Sequence, residues 1–275
     1  MGSAETETET DDAIRRGDAA WERRAEGHHQ AVAAPGPIGE AITAYEEALA
    51  QTPTDLEARW KLMRALFFRG EHVVSSHSAR LRVFERGRQL GEHGIDQLSA
   101  GTNDRKRFLE LSAAKLRAAV GEPTLGAEVL FWSAVHTGLW GRTRGRFASA
   151  REGVASKIRD YASASIALDD EIENGGGHRI LGRLHTEAPR IPFITGWISR
   201  DTAVSELELC LTIAPEDLTT RLYLGEALIE FVPKRKQEGV ALLRDLVQSD
   251  PDLRWLVEEK KAIADAEVIL ARIDG

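Results

Sequence analysis

The chain has 275 residues, 42% of them hydrophobic and 29% charged, which is ample length and apolar material for one large core or two small ones. Its formal charge is −8 and it has a single cysteine, Cys210, so an internal disulfide framework and a cysteine-rich zinc site are excluded. No apolar run approaches the roughly 18 residues of a membrane span, and the N-terminus lacks the basic start and apolar core of a signal peptide.

Along the chain, Glu5, Glu7, Glu9, Asp11 and Asp12 crowd the first twelve positions, and residues 1–12 read as a disordered acidic tail. Residues 13–275 have helical apolar spacing throughout and read as a single all-α domain. Its organisation is a repeat. "AITAYEEALAQTPTD" (41–55) sets Tyr45, Ala48 and Pro53 three and then five residues apart, and the same offsets return as Leu207, Cys210 and Pro215, and as Leu243, Leu246 and Pro251. Tyr161, Ala164 and Asp169 repeat them with the proline replaced. A small residue stands four before the large one in three of the four blocks (Ala41, Ala203, Gly239), with Lys157 as the exception. The partner helices carry Leu181-Gly182 and Leu224-Gly225, where a small residue lets the next helix approach. These marks predict helix pairs at about 13–53, 56–100, 124–170, 177–216 and 218–252, and a capping helix at 254–273.

The small, large, small, proline pattern resembles the tetratricopeptide repeat (TPR) family, which implies a right-handed helical-repeat solenoid. Within it, "NGGGHRILGRLHTEAP", "AVSELELCLTIAPED", "RLYLGEALI" and "FWSAVHTGLWGR" resemble the TatT family, the TPR-containing T-components of TRAP transporters. The regulator of microtubule dynamics proteins have a similar glycine-rich segment. The TatT resemblance implies a pore or groove for an apolar ligand and partnership with a periplasmic substrate-binding subunit.

Two insertions interrupt the repeats, and insertions in repeat proteins gather on one face. One, about nine residues within "TEAPRIPFITGWIS", carries Phe193 and Trp197. The other follows the aromatic helix of Phe131, Trp132 and Trp140, near Leu125 to Trp140, and carries a basic patch of Arg142, Arg144, Arg146 and Arg151. The expected site is one groove lined by Trp132, Trp140, His178, Arg179 and Arg183, bordered by Phe193 and Trp197, suited to a partner's anchor residue or an apolar small molecule.

Other chemistries lack their motifs. Gly175 to Gly177 matches no phosphate-binding spacing and reads as a helix connection; Arg179 and Arg183, one turn apart, are expected to pair with Asp169, Asp170, Glu171 or Glu173. There is no nucleophile elbow and no i,i+4 histidine pair with a catalytic Glu. The expectation is therefore no catalysis, no metal and no cofactor. The basic patch has no nucleic-acid recognition fold beside it, so a protein partner is expected in preference to nucleic acid, with a homo-oligomer left open. As it stands the chain reads as cytoplasmic; if Met1-Gly2-Ser3 replaced a native leader, it reads as periplasmic.

Overall fold

The computed structural model describes residues 2–102, 104–145 and 152–275, with side chains from Thr6 onward. Among these residues are thirteen α-helices and no β-strand, only an isolated bridge between His29 and Val32. The chain divides into two compact units, residues 1–169 and 170–275, where the sequence reads as one domain.

In the first unit, α1 (Gly2–Glu22) pairs with α2 (Pro35–Gln51), and α3 (Leu56–His72) with α4 (His77–Ser99). The short α5 (Arg105–Leu109) and α6 (Ala113–Val120) lead into α7 (Pro123–Arg144), which packs on α3, α4 and α8 (Val154–Leu168). Local chemistry sets the starts. Prolines open α2 and α7, where a missing N–H costs nothing. Asp55 caps α3 by accepting from the Ala58 N–H at 2.7 Å, and Ser76 caps α4 through Ala79.

The acidic N-terminal segment, expected as a disordered tail, is instead the start of α1. Negative charge near a helix N-terminus interacts favourably with the macrodipole. Thr10 is buried and shares a 2.8 Å hydrogen bond with the Thr52 hydroxyl at the end of α2.

In the second unit, α9 (Ile172–Glu187) pairs with α10 (Arg200–Ile213), and α11 (Leu218–Phe231) with α12 (Lys236–Val247). Helix α13 (Leu256–Asp274) covers the end, packing on α11 and α12. Its core joins Leu218, Leu222, Leu243, Leu246, Ala262 and Ala266, and a second cluster joins Val204, Leu207, Leu224, Ala227 and Leu228. The repeat's large residues Tyr45, Leu207 and Leu243 are fully buried, as is Cys210 in its small position.

Candidate functional site

The glycine-rich segment is a backbone turn. Glu173, Asn174 and Gly175 all lie in the left-handed region, with φ of 48°, 59° and 72°, and regular helix resumes after them. Gly175 faces Cys210: a Cβ there would sit 3.2 Å from its sulfur. Glycine therefore meets both the sign of φ and the lack of room.

The three polar candidates downstream fasten this turn to its neighbours. Arg179 donates to the Glu173 carbonyl at 3.0 Å and pairs with Asp217 at 3.4 Å, both side chains largely buried. Burial works against its charge, but Asp217 and its other neighbours outweigh it and hold the guanidinium pKa above its ordinary value. Asp217 at the same time caps α11 through the Thr220 N–H, 2.7 Å away. Arg183 pairs with Glu226 and, at 2.7 Å, with Glu187, and stacks on Tyr223 at 4.4 Å. Arg179 and Arg183 thus pair with Asp217, Glu187 and Glu226, and of the expected partners Glu173 acts on Arg179 through both its carbonyl and its charge. His178 Nδ1 lies 2.7 Å from Glu206 on α10.

The insertion between α9 and α10 is a compact loop tied to itself. Thr195, buried, donates its hydroxyl to the Pro189 carbonyl at 2.5 Å and accepts from the Ile191 N–H at 2.9 Å. The Arg190 Nε donates to the Gly196 carbonyl at 3.0 Å. Held on this frame, Pro192, Phe193 and Ile194 point outward; Phe193 is fully exposed, with φ +64°. Positive φ in a bulky residue is a rare, strained geometry. Trp197 is half-buried, its ring edge-on to His185 at 5.5 Å. It lines an open cleft of about 360 Å³ with Arg190, Gly196, Ile198, Ser199, Arg200 and Asp201.

Trp132 and Trp140 are buried in the first unit. Trp132 packs against Phe131 and Phe67 at 4.9 and 5.3 Å; Trp140 has the guanidiniums of Arg88 and Arg144 over its ring at 4.9 and 5.1 Å. They and the α9 residues belong to different units, so neither unit contains the whole expected groove. Of the basic patch, Arg142 pairs with Glu71 at 3.2 Å. Burial alone would raise the Glu71 pKa, but Arg142 and Arg80 together hold it below the usual carboxylate range. Arg146 and Arg151 lie outside the described residues. Sequence reading misses Trp60 and Arg64, although their i,i+4 spacing on α3 puts an aromatic ring and a cation on one helix face.

Among the described residues no helix is long and apolar enough to cross a membrane, and no three His, Cys, Asp or Glu side chains form a metal-holding set. No known family's sequence profile matches the chain, and no curated protein matches it in sequence. In structure it is similar to a thermophilic TPR protein from Thermus thermophilus, over 93% of this chain and 99% of that one, with a TM-score of 0.55 and 17% sequence identity. The fold is therefore an all-α helical repeat of TPR type.

Proposed function

We propose that this chain is a non-catalytic, TPR-like interaction module that engages a protein partner through the loop between α9 and α10. The observation behind the reading is Phe193: a fully exposed aromatic, in strained backbone, on a loop that its own hydrogen bonds hold in shape. An isolated surface ring would relax; a preorganised one lowers the cost of binding. The cleft beside Trp197 supplies a second aromatic contact and the polar groups of Arg190 and Asp201, a make-up suited to an anchor site. The finer form of the proposal is a TatT-like component acting in a larger assembly. It rests on the glycine-rich segment and on the "APRIPF" insertion that follows it.

The test is to capture partners on the wild-type chain, identify them by native mass spectrometry, and titrate each against wild type, Phe193→Ser and Trp197→Ala. Loss of an aromatic anchor is expected to weaken binding by about 2 kcal/mol, with circular dichroism unchanged. Equal affinity in all three would remove the loop from the function. If the captured partner is a TRAP transporter's substrate-binding subunit the finer form stands, and an unrelated partner would reduce it to a general scaffold.

A further inference from the structure

The loop between α9 and α10 carries a projection and a hollow side by side. Pro192, Phe193 and Ile194 are three consecutive exposed apolar residues, a run that a surface tolerates poorly unless something covers it. Next to them, Trp197 and Ile198 wall the cleft of about 360 Å³. Gly196 keeps that cleft open. Its φ lies outside the left-handed region, so the backbone does not require glycine there, and an added Cβ would meet nothing closer than 3.9 Å beyond its chain neighbours.

The charges of the cleft are also a complementary set. Arg190 lines it from the start of the loop and Asp201 from the first turn of α10. The Arg190 Nε is held by the Gly196 carbonyl. Among the described residues, its terminal nitrogens have no carboxylate partner and the Asp201 carboxylate has no cation, nor does either pair with the other. Neighbouring arginines show the contrast. Arg183 has Glu187 and Glu226, and Arg200 donates to the carbonyls of His185 and Thr186 at the end of α9.

We propose that this loop pairs with the same loop of a second copy of the chain, about a twofold axis that seats the Phe193 ring of each copy in the Trp197 cleft of the other. The inference rests on reading the loop as the interaction surface, and it names the partner. A twofold contact must be self-complementary, each patch offering what it receives. A projection and a hollow on one short segment meet that condition without a second surface, and a phenyl ring beside an indole gains edge-to-face or offset stacking. The same operation sets Arg190 of each copy against Asp201 of the other, so both lone charges find an opposite. A contact confined to one loop is at the small end of protein interfaces, so the dimer is weak, with a dissociation constant on the order of 100 µM.

The test is sedimentation of the full chain from about 10 µM to about 1 mM. Wild type is expected to show a monomer–dimer equilibrium that closes at two. Phe193→Ser, which removes the projection, and Gly196→Leu, which fills the cleft, are each expected to weaken it about tenfold or more, with circular dichroism unchanged. Arg190→Glu and Asp201→Lys alone each oppose like charges across the axis and are expected to weaken it similarly. Mixed one to one, these two variants regain both opposite-charge contacts and are expected to associate within about threefold of wild type. A dimer unaffected by Phe193→Ser or Gly196→Leu, a charge-reversed mixture that stays monomeric, or growth into larger species overturns the proposal. A chain that is monomeric throughout overturns it too, but leaves the loop available to a different protein. Loss of such a captured partner in Phe193→Ser would then uphold the interaction-module reading by itself.

Discussion

His136 on α7 shows how one buried side chain can set a pH limit. It has no solvent exposure, and its Nε2 is 2.8 Å from the Met63 carbonyl of α3, so Nε2 carries the proton of the neutral ring and donates it. Its other nitrogen is buried without a partner, packed where α4 passes at Gly87. Burial pushes the pKa down from 6.5 to about 4, and the Met63 bond offsets only part of that. The sign follows from linkage: below 6.5 the unfolded chain takes the proton first, so the contribution to stability is full above pH 6.5, falls between 6.5 and about 4, and is level below that. The loss at this site amounts to about 3 kcal/mol. Between pH 6.5 and 4 the urea midpoint of wild type is therefore expected to fall more steeply than that of His136→Gln, which has no proton to take up. Parallel curves would show that His136 does not titrate in the folding equilibrium. At Arg179 the expected outcome is different in kind: Arg179→Met leaves Asp217 buried without its cation, a loss of about 3–5 kcal/mol readable as a lower melting temperature. The sequence shows Arg179 and Arg183 sharing a face, but not the choice of Asp217 and Glu226, because those partners come from a helix dozens of residues later and only packing brings them near.

Helix pairing is the most legible level, since a repeat's spacing is written in consecutive residues. The Leu-Gly pairs fall where two helices nearly touch: a Cβ at Gly225 would lie 2.5 Å from Leu243 Cδ2 and 3.3 Å from the Gly239 carbonyl. Backbone on the far side cannot swing away as a side chain can. Gly225→Leu is expected to cost about 1–3 kcal/mol by overpacking, measured as a drop in melting temperature, and an unchanged value would place the close contact elsewhere. The α9–α10 loop is legible as an insertion, but its shape is not. That shape depends on Thr195 bridging Pro189 and Ile191, a network that no periodicity announces. Helices α5 and α6 escape a reading of the sequence for the opposite reason, being too short for an apolar period to repeat. The start of α1 is hidden by composition, because its charges match a solvated tail as well as a helix N-terminus.

At the level of the whole chain, the division at residues 169 and 170 bears on cooperativity. The first unit has its own buried set, including Tyr45, Phe68, Phe84 and Leu130, and the second has Leu207, Leu228 and Leu243. In helical-repeat proteins stability is close to a sum of local and nearest-neighbour terms, so damage to one core should stay largely within it. Hydrogen exchange on Gly225→Leu checks this directly. Amides of α10 to α13 are expected to lose protection, by about tenfold for each 1.4 kcal/mol, because Leu243 joins the cluster shared by α11, α12 and α13. Amides of α3, α4 and α7, packed around His136 and Phe84, are expected to keep theirs. A proportional loss of protection in both sets would mean that the chain opens as one cooperative body, and the acid response of His136 would then reach the Phe193 loop through global unfolding.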